Sequence, residues 1–362
     1  PWNRVRQFSM RKLIREAAFG LSEVEGEDIW RCTTCGTCPD QCPRGVKQID
    51  ISVALRRVAA SYELFPPSVK SARTARSSLI SEGNPLQGER EKRADWAKEL
   101  AVKPYEEGME ALYFVGCYLS YDPRMKKVAV ATANILKKAG VEFGILGEKE
   151  SCCGESIRKT GSEEVFKNLA RENIKSFIDN GVKKIIVSSP HCFHTFKNEY
   201  PEFMVNFEVV HINQFLLQLI EQGRLELQGE LSKVVTYHDP CNFGRSCGIV
   251  EDPRVILEAA CEDFRDMTPN RGENWCCGGG GGLSAMDDIR DFRMKVSSVK
   301  KMEQVKATGA KYVATACSNC KRQFMQLIES HNADFAVGGV HDMLSRSILI
   351  NGKAAERVDW EG

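Results

Sequence analysis

At 362 residues the chain has room for two or three domains, each with a sizeable core. Its 50 Lys and Arg stand against 49 Asp and Glu, a formal charge of +1, so no global field gathers nucleic acid or an anionic membrane. The longest apolar runs, such as Ala111 to Cys117, fall short of the roughly 18 to 20 residues of a spanning helix, and no signal peptide is evident, so a membrane is expected to be reached only through another subunit.

Residues 1 to 65 read as an all-α part: an amphipathic stretch from Val5 to Phe19, cysteine-bearing loops, and a second helix from Ile49 to Tyr62 that Pro66 and Pro67 end. Residues 66 to 106 are polar, with one Asn84-Pro85 turn, and read as a helical connector with little core. From 107 onward short β-rich runs alternate with helical stretches, which predicts an α/β fold with parallel strands.

An internal repeat organises that region. The first lobe, 107 to 230, carries Cys117 after a strand, an Asp122-Pro123-Arg124 helix start, Cys152-Cys153-Gly154, and a strand leading to Cys192. The second, 231 to 350, repeats the pattern with Cys241, Asp252-Pro253-Arg254, Cys276-Cys277-Gly278, and a strand leading to Cys317 and Cys320. In both, 34 residues separate the first cysteine from the pair, and Val210-His211 matches Val340-His341. Two such lobes predict a pseudo-twofold arrangement whose loops share a cleft. Residues 351 to 362 read as a tail.

Fifteen cysteines, an odd number in tight groups, do not fit a disulfide scaffold; thiolates so closely spaced usually hold metal in a reducing cytoplasm. Cys32, Cys35, Cys38 and Cys42, followed by Pro43, have the spacing of a bacterial cubane [4Fe-4S] loop, in which the fourth cysteine serves another cluster. No second such run follows, so the natural chain is expected to continue upstream of Pro1 into a further cluster motif that Cys42 serves. A structural zinc site is the alternative.

The second lobe offers five thiols, and Gly278 to Gly282 follow its cysteine pair, bringing backbone N–H groups close to cluster sulfides or a substrate sulfur. In the first lobe Ser189 stands where the second has Cys317, so Cys117, Cys152, Cys153 and Cys192 are left to hold a cluster, a zinc or nothing. Cys247 lies outside the repeat, as does Cys261, which reads as a buried free thiol on an apolar helix face.

With these spacings in view, the last 250 or so residues resemble the cysteine-rich CCG domains of heterodisulfide reductase, and residues 1 to about 60 its ferredoxin-like subunit, fused as in HdrD-like proteins. Residues 27–38, Glu82-Gly83-Asn84-Pro85 and Ser151-Cys152-Cys153-Gly154-Glu155-Ser156 are most similar to the DsrK-like branch, the iron–sulfur subunits of the Dsr membrane complexes of sulfate reducers. The resemblance implies that Cys241, Cys276, Cys277, Cys317 and Cys320 bind a non-cubane [4Fe-4S] cluster that cleaves a disulfide, while Ser189 departs from the pattern. It also implies a DsrC-like protein substrate in disulfide or trisulfide form. Electrons would come from menaquinol through a cytochrome b-type subunit, with the chain peripheral on the cytoplasmic face of the inner membrane.

Reduction also needs protons, for which His191, His194 and Glu155 are candidates. His211, His238 and His341 sit at strand ends and are expected to bond backbone groups. Arg158, Lys159, Arg245, Lys321 and Arg322, all near cluster cysteines, are candidates for tuning the cluster or receiving a carboxylate of a protein substrate. The rival reading is an electron-transfer subunit without chemistry of its own, as in glycolate- or lactate-oxidising complexes.

Overall fold

The computed structural model describes residues 9–20, 26–65, 69, 71–227, 231–350 and 353–354. The start of the first amphipathic stretch, Pro66 and Pro67, and nearly all of the expected tail lie outside the described residues. Among the described residues no helix is long and apolar enough to cross a membrane.

Helices Met10–Ala18 and Gln48–Ser61 flank the first cysteine loop. They have no private core: Leu13, Ile29, Trp30 and Ala59 pack with Leu283, Met286 and Ile289 from the last third of the chain. The connector departs from expectation. Its helix Ser71–Glu82 and the 3-10 helix Arg90–Leu100 bury Leu79, Trp96, Ala97 and Arg93 against the first lobe. The polar composition misleads because Arg93 is paired with Glu150 inside the protein, both side chains 2% exposed.

The first lobe is a parallel sheet of β1 (Ala111–Phe114), β2 (Phe143–Gly144), β3 (Lys184–Val187) and β4 (Glu208–His211), in the order β2-β1-β3-β4. After β5 (Glu226–Leu227), the second lobe repeats it with β6 (Leu231–His238), β7 (Cys261–Phe264), β8 (Tyr312–Thr315) and β9 (Ala336–Gly339), in the order β7-β6-β8-β9. β10 (Ile348–Ile350) and β11 (Lys353–Ala354) extend β5 as a small antiparallel sheet. β1 is buried at all four residues, as a strand covered by helices on both faces must be. Cys261 is buried, but at the start of β7 rather than on a helix face.

This strand order positions the site. The chain leaves β1 for one side and returns on the other as β3, so a crevice opens at the C-terminal ends of β1 and β3, and equally of β6 and β8. Cys117 and Cys241 follow β1 and β6; Cys192, Cys317 and Cys320 follow β3 and β8. The cysteine pairs arrive on the loops beyond β2 and β7.

Candidate metal centres

The second lobe brings all five predicted thiols together. The Sγ atoms of Cys241 and Cys276 are 3.6 Å apart and those of Cys277 and Cys320 3.3 Å. Cys317 is the N-cap of helix Ser318–His331, its Sγ accepting the Cys320 N–H at 3.4 Å, while Cys276 Sγ accepts the Gly278 N–H at 3.3 Å. Burial opposes ionisation of Cys317, but the Cys320 thiol and the His191 charge outweigh it and hold Cys317 well below the usual thiol range. Cys277 is also held well below it, by hydrogen bonds from Cys276 and Cys320. Free, converging thiols with backbone N–H groups aimed at their sulfurs are the donor set a multi-thiolate metal group needs.

The ferredoxin-type loop lies directly against this lobe. Cys35 is in hydrogen-bond contact with Cys276, and both that contact and burial push its thiol up. Cys32 Sγ accepts the Thr34 N–H at 3.4 Å, and Cys38 is close enough to Cys35 and Cys32 to feel their charge. Cys42 is turned elsewhere: exposed in part, it accepts backbone N–H groups of Val46 and Arg44.

Two arginines fasten the loop. Arg245 donates to the Cys35, Gly272 and Asn274 carbonyls, and fully buried Arg56 to those of Ile29, Cys32, Lys159 and Gly281. The glycine run does more than was expected of it. A Cβ at Gly280 would stand 2.6 Å from the Thr33 carbonyl oxygen and one at Gly281 2.6 Å from that of Cys32, so these glycines let the two cysteine loops touch.

The first lobe gathers Cys117, Cys152, Cys153 and Cys192 in a chain of thiol contacts. Ser189 takes the N-cap place of Cys317 but makes no side-chain cap bond. Glu150 accepts the Val115 and Gly116 N–H groups at 3.0 and 2.9 Å and holds Arg93, whose Nη2 lies 3.6 Å from Cys117 Sγ. The contact with Cys152, followed by burial, pushes the Cys117 thiol well above its usual range.

His191 crosses from the first lobe into the second lobe's site. Its Nδ1 is 2.9 Å from Glu155 Oε2 and 3.0 Å from Asn242 Nδ2, and its Nε2 is 3.4 Å from Asn319 Nδ2. Burial alone would favour the neutral ring, but the charges of Glu155 and Cys317 outweigh it and raise the His191 pKa well above the usual histidine value. His191, Cys241, Cys277, Cys320 and Thr33 line a narrow slit between the lobes. His194 is not there; it faces a wider outer groove with Lys159 and Glu199, and burial lowers its pKa. Thr34 and Asn242 line both spaces.

Four of the basic candidates have partners within the chain. Arg158 is tied to Glu163, Glu199 and Glu202, and Lys159 to Glu199; Arg245 is spent on carbonyls, and Arg322 donates to the Ser284 carbonyl. His211 does bond backbone, its Nδ1 accepting the Asn213 N–H at 3.2 Å. His238 does not: its Nδ1 meets the side chain of Asn274 at 3.2 Å. Sequence reasoning passed over Asn242, Asn274, Lys301, Asn319, Arg56 and the Arg93–Glu150 pair. One signal was present: Glu150 and Asn274 both stand two residues before a cysteine pair.

A cysteine-rich domain family model (CCG) matches residues 111–197 and 235–325. The chain is 35% identical over 338 residues to the probable iron-sulfur-binding oxidoreductase FadF of Bacillus subtilis, covering 90% of this chain and 47% of that protein. It is 33% identical to the EtfAB:quinone oxidoreductase of Syntrophomonas wolfei, covering 86% and 45%. Thus it spans about half the length of these two relatives. It is 31% identical over 366 residues to the HdrD component of the dihydromethanophenazine:CoB–CoM heterodisulfide reductase of Methanosarcina mazei, covering 97% of this chain and 87% of that one.

Proposed function

Because the chain belongs to the CCG-domain family of iron–sulfur oxidoreductases related to the HdrD component of heterodisulfide reductase, we propose that it is the iron–sulfur subunit of a multi-subunit complex that reduces a sulfur–sulfur bond at the second lobe. Residues 1–65 would carry a cubane cluster on Cys32, Cys35 and Cys38, with Cys42 serving a further one. The second lobe, 231–350, would carry a non-cubane [4Fe-4S] cluster on Cys241, Cys276, Cys277, Cys317 and Cys320. The observation behind this reading is the convergence of those five thiols, three of which (Cys241, Cys277 and Cys320) line one slit together with His191, itself paired with Glu155.

When bound, such a cluster supplies single-electron transfer and an iron site for a substrate sulfur. The chain's own residues account for the rest. Cys35 against Cys276 gives a direct thiol contact from the ferredoxin-type loop to the second lobe. Cleaving RS–SR′ to two thiols takes two electrons and two protons. Glu155 accepts from His191 Nδ1 and favours the charged ring, so His191, which lines the slit, can give a proton to the departing sulfur. The narrow slit limits water around the reacting sulfur.

The finer reading is a DsrC-like protein as substrate, with menaquinol as donor through a cytochrome b-type subunit on the cytoplasmic face of the inner membrane. It rests on the likeness of residues 27–38 and 151–156 to the DsrK-like branch. A second reading, an electron conduit between a flavoprotein and quinone, draws on the relative named for EtfAB and quinone. EPR of the anaerobically purified chain with and without a thiol-bearing partner separates the two. An oxidised-state signal that responds to the thiol supports the reductase; signals seen only on reduction and indifferent to thiols make the chain a conduit.

A further inference from the structure

His238 is fully buried at the end of β6, and one of its ring nitrogens lies within 4.8 Å of the sulfurs of both Cys277 and Cys320. Its backbone is fixed by pairing with Thr315 of β8, two residues before Cys317, and its ring by an edge contact with Phe324 at 5.1 Å. The ring's tautomer is also determined. Lys301 Nζ, a donor only, reaches Asn274 Oδ1 at 2.7 Å, so the Asn274 atom facing His238 Nδ1 at 3.2 Å is the amide nitrogen. The same nitrogen donates to the Asp239 carbonyl at 2.9 Å, which requires the same amide orientation. Nδ1 therefore accepts, and the neutral ring carries its proton on Nε2. That atom is buried with no hydrogen-bond partner among the described residues.

From this geometry we infer that His238 is a positioning residue for the second-lobe centre: its Nε2–H donates to a metal-bound cysteine sulfur at Cys277 or Cys320, and Asn274 and Lys301 serve to keep the proton on that nitrogen. A ring so oriented has no Nε2 lone pair for iron, so it is a donor and not a ligand. A hydrogen bond to a cluster thiolate withdraws charge and favours the reduced, more negative state, so the effect is a raised potential. The first lobe has Phe114 in this place, paired with Val187 of β3. This inference rests on the reading that the second lobe holds an iron–sulfur cluster.

The test uses the whole chain, anaerobically purified, with iron analysis and an EPR-monitored redox titration. His238→Leu should keep its iron and shift the midpoint potential of the second-lobe signal downward. His238→Gln, which retains an N–H donor, should recover part of the shift. Lys301→Met, which frees Asn274 to turn, should shift it the same way by less and remains informative if His238→Leu fails to fold. Pulsed EPR on protein labelled with 15N-histidine should show a weak coupling that His238→Gln removes. Unchanged potentials in all three variants, or a strong nitrogen coupling with iron lost in His238→Gln, would overturn the inference. Wild-type protein without iron would instead overturn the functional reading on which it rests.

Discussion

The two lobes share a strand order, a cysteine spacing and a helix start, yet they surround their thiols differently. In the second lobe five sulfurs meet, Cys317 caps its helix, and His238 and His191 approach from two sides. In the first, Ser189 replaces the capping thiol, Phe114 stands where His238 would, and the charge near Cys117 comes from Arg93 of the preceding connector. The contrast teaches that the fold supplies the cysteine positions, while the groups two or three residues away decide what the thiols can do. The first lobe also lends His191, from the short helix Pro190–His194 that follows β3, to the second lobe's slit.

The sharpest way to break this comparison is to remove one thiol from each lobe. Cys277→Ser should abolish the thiol-responsive EPR signal and lower iron content, whereas Cys153→Ser should leave that signal in place; loss of the signal in both would make the lobes equivalent. In the opposite sense, Ser189→Cys completes the five-thiol set and should raise the iron bound per chain.

The buried ion pairs come next. Among the described residues Arg93 has Glu150 as its one carboxylate partner, so Glu150→Ala should cost about 3–5 kcal/mol in denaturant unfolding. Arg254, a buried arginine of the second lobe, has both Asp239 and Asp266, so Asp239→Ala should cost less, about 1–3 kcal/mol. Equal losses would contradict the contrast.

Gly281→Ala places a side chain at φ +64° against the Cys32 carbonyl, with an expected cost of roughly 1–3 kcal/mol. It should also slow electron transfer between the ferredoxin-type loop and the second lobe, read by rapid-mixing spectroscopy. The smallest effect belongs to the exposed pair Arg265–Asp263, where alanine at the arginine should cost under about 1 kcal/mol in thermal unfolding.

Much of this architecture is legible in the chain itself. The repeat of Cys117 with Cys152-Cys153 in Cys241 with Cys276-Cys277 announces two lobes, because cysteines held at strand ends keep their spacing, and His191 is marked by its place beside Cys192. What stays hidden depends on contacts between distant segments, which leave no local period. The connector looks soluble until Arg93 is set beside Glu150, 57 residues on. His238 reads as a strand-end histidine until Asn274 and Lys301 are brought to it. The glycine run suggests room for sulfur, and only the closeness of Thr33 and Cys32 reveals a seam between domains.

Arg56 has a consequence for how the molecule comes into being. Its guanidinium is enclosed by four carbonyls from three separate stretches, the last of them Gly281, which leaves the ribosome 225 residues later. At a synthesis rate of roughly 5–20 residues per second, that delay is on the order of 10–45 s. Throughout it the cation must stay hydrated, and the Cys32 to Cys38 loop beside it has no lid. The Cys32 to Cys38 loop is thus closed over only after Gly281 has been made, and any ion it is to hold has that interval of open access.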